Sequence, residues 1–289
     1  MIASLCAAAD DRYFPPDIQR QLSLPEHQLD IGLAALTFAK EIYPDLDVAA
    51  YSKRIDEFAD KARRLGQGTT DPEKRIRVLN TVLFKQEGIR YDRAVLARNQ
   101  QAYYFLNGIL DTRLGICYTM PLLYIAVAQR LGWPMYPVAA PDHLFVRYVD
   151  ESFKEQNIET TSGGKYFPDE VYAKDFSVGA QSLASGSYLR TLSYREFLSY
   201  LLAANALVLA RQGRGNKTVA YLEKATELNP RFADYHDTLG EAYLAMSRAV
   251  SGEEAANYQD KAKRSAAKAK ALGYVSQEVI AMGRETRGR

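Results

Sequence analysis

Arg113-Leu-Gly-Ile-Cys-Tyr-Thr-Met-Pro-Leu-Leu-Tyr-Ile-Ala-Val-Ala-Gln-Arg-Leu-Gly-Trp-Pro134 is the stretch that decides how this chain folds. Residues 118–131 are apolar on nearly every side, as in a helix that runs through a core rather than along a surface. Pro121 falls in the first turn, where its missing N–H costs nothing, so it fixes the start of the helix close to Cys117. Gly132 and Pro134 end it. Cys117 therefore sits immediately before a buried helix, where the free N–H groups and the positive end of the dipole favour its thiolate.

The chain beyond this helix returns to where it began. A helix over 118–131 carries the chain about 21 Å from Cys117 at 1.5 Å per residue. Residues 135–142, if extended, bring it back about 26 Å. His143 is thus expected beside Cys117. Residues 144–149 and 157–161 alternate as strands around the polar turn Asp150-Glu-Ser152, which reads as a hairpin. With its centre at Glu151, His143 faces Glu159 on one side of the hairpin, with Cβ atoms about 5 Å apart. A carboxylate there orients the imidazole and stabilises its charged form, completing a nucleophile, base and orienter of the Cys-His-Glu kind. Each residue alone also has a plain structural reading: a small core cysteine, a strand-end histidine, a surface glutamate. Spacing leaves both readings open.

Working outward, residues 24–66 read as two helices. Pro44 ends the first, and Asp47 caps the second. A third starts near Asp71-Pro72, and residues 88–91 break its period. Residues 103–110 suggest a short helix before the Cys117 segment. Residues 162–190, rich in Gly, Ser and Tyr, are expected to wrap the surface. From Leu192 the pattern is helical again, and Ala233, His236, Leu239, Gly240 and Tyr243 fit the first helix of a tetratricopeptide unit, with Ala225 and Pro230 closing the preceding one. An insertion is expected around residues 251–258, before a second helix that ends at Leu272-Gly273. Two units bury too little surface alone, so they should pack on the preceding domain.

Composition sets limits on function. The chain has 289 residues, 47% hydrophobic and 25% charged, with a net charge of +2. Of the charged residues, 22 basic and 24 acidic lie in residues 1–190, and 15 and 11 in residues 191–289. Neither half carries the charge footprint of a nucleic-acid partner, and the basic run 261–270 is interleaved with alanine as on a solvated helix face. No apolar run approaches the roughly 20 residues of a membrane span. Two distant cysteines, Cys6 and Cys117, make no disulfide framework. Three histidines, at 27, 143 and 236, show no ligand-pair spacing, so no metal or other cofactor is expected. The first ten residues resemble the tail of a leader but lack its positive start, and a cytoplasmic chain is expected, with an exported form left open. Oligomeric state is not written in the sequence. Tyr103, Tyr104, Tyr118 and Tyr148 fall near the expected site, as core packing or as aromatic walls for a substrate side chain.

Leu106-Asn-Gly-Ile-Leu-Asp-Thr-Arg-Leu-Gly-Ile116, then Arg130-Leu-Gly-Trp, then Pro141-Asp-His-Leu-Phe-Val-Arg147, resembles the SirB-type branch of the bacterial transglutaminase-like superfamily. Residues 36–47 resemble that family's helical lead-in, and several such families append tetratricopeptide units. The resemblance implies an α+β fold: a helical lead-in, a core in which the cysteine-bearing helix packs on an antiparallel sheet, and C-terminal helical hairpins. The implied division is a transglutaminase-like domain over residues 1–190 and a tetratricopeptide-like domain over 191–289. Many SirB-type proteins carry proline after Gly-Ile; this chain has Cys117, as the broader transglutaminase core does. The family's Asp is matched by Glu159, whose extra methylene could move the carboxylate by about 1 Å. Asn107 or Gln101 is a candidate oxyanion donor beside the Cys117 N–H, and Asn157 a candidate second partner for the imidazole. The expected activity is attack by Cys117 on an amide or ester carbonyl of a peptide or protein, with hydrolysis and transfer undistinguished. The rival expectation is a non-catalytic scaffold that binds a peptide or protein partner in the repeat groove.

Overall fold

The structure, a computed structural model, describes residues 11–92, 94, 100–151 and 153–285. The leader-like opening lies outside the described residues. The lead-in is helical: α1 (Pro16–Ser23), α2 (Ile31–Ile42), α3 (Val48–Gly66) and α4 (Pro72–Asn80), the last continuing as a π-helical turn over Thr81–Gln86. Asp30, Asp47 and Asp71 cap α2, α3 and α4, each carboxylate accepting from backbone N–H groups of its first turn. Helix α1 was not anticipated, although Pro15-Pro16-Asp17 offers a helix start. Residues 103–110 divide into a 3-10 turn, Gln101–Tyr104, and α5 (Leu106–Thr112).

Helix α6 (Thr119–Arg130) is the axis of the first half, with every residue from Thr119 to Ala128 buried. At about 2 kcal/mol for each large apolar side chain, this burial is the main force holding α2, α3 and α6 together. The far end of α6 is fastened by polar contacts. Gln129 Nε2 donates to the Leu29 carbonyl at 2.6 Å, and its Oε1 accepts from the Ile31 N–H at 2.8 Å. Arg130 pairs with Asp30 and with Asp56. This explains why an otherwise apolar helix ends in Gln-Arg.

A four-stranded antiparallel sheet packs among the helices in the order β3 (Met135–Ala140), β4 (His143–Asp150), β5 (Phe153–Glu159), β6 (Lys165–Tyr166). A shorter parallel pair joins β1 (Arg90–Tyr91) to β2 (Leu114–Gly115). The return path from α6 is β3, and a two-residue turn at Pro141–Asp142 leads into β4, so that Ala140 pairs with His143. The register of the next hairpin differs from the expected one. Val146 pairs with Ile158, Arg147 with Asn157 and Tyr148 with Gln156, after an irregularity between Tyr148 and Asp150. Relative to the expected register the ladder beyond that irregularity is offset by two residues, which preserves the face of every side chain.

Residues 162–190 hold two short helices, α7 (Asp169–Asp175) and α8 (Ala180–Ser185). The chain then lies along the outer edge of β3, where Leu189 and Leu192 N–H groups donate to the carbonyls of Ala139 and Pro137. Helices α9 (Tyr194–Arg211), α10 (Gly215–Leu228), α11 (Ala233–Ala249), α12 (Gly252–Leu272) and α13 (Gln277–Glu285) complete the described chain. The expected insertion at 251–258 is not a loop: Gly252 begins a continuous helix that lengthens α12. Gly240 faces α12, where a Cβ would come into ordinary contact with the Ala262 carbonyl at 3.4 Å. The C-terminal helices share one core with the first half, and α9 packs on α2. Asn205 Nδ2 donates to the Phe38 carbonyl at 2.9 Å, and Tyr221 and Lys217 both engage Glu41.

Candidate active site

Cys117 sits on the short link between β2 and α6, and two features hold that link. Gly115 is wedged in: a Cβ there would lie 2.5 Å from both Ile109 Cδ1 and Met120 Cγ, so only glycine fits. Thr119 Oγ1 accepts from the Ile116 N–H at 3.1 Å, tying the residue before the cysteine to the first turn of α6. The thiol is half-buried, and its sulfur lies 3.8 Å from the Asp142 carbonyl oxygen on the β3–β4 turn. Asp142 has a φ of +53°, a conformation in which a non-glycine residue is held against its preference.

His143 follows that turn directly, and Cys117 on one side is among the groups that raise its titration. On the other, its Nε2 lies 2.7 Å from Glu159 Oε2, which leaves Nδ1 for the sulfur. The imidazole and carboxylate side chains are only 11% and 7% exposed, so solvent screens their attraction weakly. Burial would push His143 down; the hydrogen bonds and charges of Cys117 and Glu159 outweigh it and hold the imidazole up at about 9. Burial would likewise push Glu159 up, but the bond and charge of His143, with the Thr161 donors, hold it below the usual carboxylate range.

Glu159 is enclosed by residues that the sequence did not single out. Its Oε1 accepts from Thr161 N–H at 2.9 Å and Thr161 Oγ1 at 2.6 Å, and its Oε2 accepts from the Tyr172 hydroxyl at 3.2 Å. Phe176, at the end of α7, stacks on the imidazole with ring centroids 4.7 Å apart. On the cysteine side, Tyr118 stacks against Tyr200 of α9 at 6.1 Å, and Tyr200 packs on Phe232 and on Tyr235 of α11. Helices of the C-terminal half therefore line the surroundings of the thiol. Tyr103 is buried against Ile116, and Tyr148 is a core residue whose hydroxyl accepts from Arg75 Nη1 at 2.9 Å.

The expected supporting residues fare differently. Asn157 does not face the imidazole. Its Oδ1 accepts from Arg147 Nε at 2.7 Å, and its Nδ2 donates to Asp169 Oδ1 at 2.8 Å and to the Phe167 carbonyl. The two-residue slide of the ladder places it directly opposite Arg147. Gln101 interacts with the Tyr43 hydroxyl. Asn107 is buried in the first turn of α5, its side-chain oxygen without a hydrogen-bond partner. Among the described residues no group of three or more His, Cys, Asp or Glu stands together as a metal site, and no helix is long and apolar enough to cross a membrane.

The thiol lies at the head of a buried helix, beside the turn that leads into His143, and the whole sits on a helix-and-sheet frame. The frame agrees with comparison to known proteins. Residues 49–203, more than half of the chain, match the family model of the transglutaminase-like superfamily, and the chain belongs to that superfamily. A UPF0162 protein of Xylella fastidiosa (strain 9a5c) is 27% identical over 235 residues, covering 78% of this chain and 80% of that protein. F-box only protein 21 of Mus musculus is 35% identical over 65 residues, 21% of this chain and 10% of its own length. Among solved structures, menin, in a crystal structure that reveals its binding site for the Mixed Lineage Leukemia (MLL) protein, aligns with a TM-score of 0.47. The identity is 14%, covering 94% of this chain and 72% of that one.

Proposed function

We propose that this protein is a cysteine-dependent acyl-transfer enzyme of the SirB-type branch, with Cys117 as nucleophile, His143 as base and Glu159 as orienter. The observation that carries the reading is the placement of His143 between Cys117 and Glu159 in a shielded setting. With Nε2–H directed at the Glu159 carboxylate, Nδ1 carries the proton taken from the thiol, and the Cys117 thiolate attacks the carbonyl carbon of an amide or ester. The C–N or C–O bond breaks, the leaving group takes that proton back from the imidazolium, and a thioester remains on Cys117. Water or an amine then resolves the thioester, its proton passing to Nδ1. The acyl group is that of a peptide or protein. The helices from α9 onward act as tetratricopeptide-like hairpins, residues 191–289 against 1–190.

The test is labelling with a peptidyl electrophile that mimics an acyl donor, followed by mass-spectrometric mapping. The adduct is expected on Cys117 of the native chain, and prior treatment with a small alkylating agent should block it. Labelling of Cys117 only after denaturation would overturn the assignment and favour the scaffold reading, in which the thiol is inert.

A further inference from the structure

Glu159 stands where the family resemblance implies an aspartate, so its carboxylate rides on one more rotatable bond. A longer arm orients an imidazole only if something else fixes it. In this protein both of its oxygens are tied. Thr161 secures Oε1 through its N–H at 2.9 Å and its hydroxyl at 2.6 Å. Oε2, the oxygen that meets His143, also accepts from the Tyr172 hydroxyl at 3.2 Å.

We propose that Tyr172 is a positioning residue for the thiol site, its hydroxyl holding Glu159 Oε2 in line with the imidazole while Thr161 holds the other oxygen. The inference rests on the proposed roles of Cys117, His143 and Glu159. The two parts of the side chain do separate work. The ring stacks on Phe145 of β4 with centroids 3.8 Å apart and lies 6.2 Å from the His143 ring, so it packs α7 over the hairpin. The hydroxyl reaches the carboxylate. Helix α7 is itself anchored upstream, where Asp169 Oδ1 accepts from Arg147 Nη2 at 2.5 Å and from Asn157. The charged groups that face Tyr172 are Glu159, Asp169 and Arg147, and those that face His143 are Glu159 and Cys117. Removal of the hydroxyl therefore changes what Glu159 can do without removing a charge.

The test is Tyr172→Phe in the full chain, read three ways. The rate of Cys117 alkylation by iodoacetamide near neutral pH should fall about tenfold, the size expected when one hydrogen bond to a charged group is lost. The titration of His143, followed by NMR in a chain with three histidines, should move down toward the ordinary imidazole range, because a loosened carboxylate stabilises the imidazolium less. The thermal midpoint should change by less than about 4 °C, since the ring stack remains. An alkylation rate within about twofold of wild type, or a His143 titration that stays or rises, overturns the proposal whatever happens to the midpoint. A His143→Ala control separates the two levels. If it leaves alkylation unchanged, the base assignment itself fails; if it slows alkylation and Tyr172→Phe does not, only the role of Tyr172 falls.

Discussion

Two polar pairs lie on the same face of the β4–β5 hairpin, one at His143 and Glu159, the other at Arg147 and Asn157, with Phe145 between them. Both join strand to strand, and both are buried, yet their surroundings differ. Arg147 is 3% exposed and directs its guanidinium to Asn157, Asp169, the Leu189 carbonyl and Thr191, so its donors stitch β5, α7 and the edge segment together. His143 instead has one nitrogen on a fixed carboxylate and the other on a thiol at a half-buried position. The first pair is closed; the second retains a group that can change partner and proton. Chemistry requires the second arrangement, and the first keeps it in register.

The largest expected effect is on the closed pair. Arg147→Ala leaves the buried Asn157 amide and the Leu189 carbonyl without their donor and frees the partly exposed Asp169 carboxylate, and should lower unfolding stability by about 3 kcal/mol in urea titrations. A loss below about 1 kcal/mol would mean that the clamp does not hold the hairpin. The open pair should show itself through pH. His143 is held near 9 in the folded protein, against about 6.5 for a free imidazole. Its protonated form therefore contributes stability that is fully present below about pH 6.5 and is lost as pH rises through about 9. The stability gap between wild type and His143→Gln should shrink by on the order of 2–3 kcal/mol between pH 6 and pH 10. A gap that does not vary with pH would show that His143 is an ordinary packed side chain.

Much of this comparison was legible in the sequence, for reasons that can be named. Helix α6 is apolar on all sides and carries Pro121 in its first turn, so its position and burial follow directly. His143 and Glu159 share a face by parity, and a ladder slipped by two residues leaves parity intact. The same slip defeats the argument from exact opposition: His143 meets Glu159 from a diagonal position, and Asn157 stands opposite Arg147 instead of beside the imidazole. Thr161, Tyr172 and Phe176 were missed because they reach the site through the path of residues 160–176, and no periodic pattern encodes that path. One local signal was present: Pro168-Asp-Glu170 places proline and two acids at the start of α7, as a helix N-terminus prefers. The sequence marks residues 251–258 as an insertion without assigning them a structure; they form the first turns of α12, which begins at Gly252.

The claim on which the rest depends is that His143 activates Cys117. Alkylation by iodoacetamide at about pH 6, well below the ordinary thiol range of about 8.5, compares wild type with His143→Ala. The account predicts that wild-type Cys117 reacts faster than a free model thiol, and that the substitution removes this advantage while the protein stays folded by circular dichroism. Equal alkylation rates in the two folded proteins would contradict it.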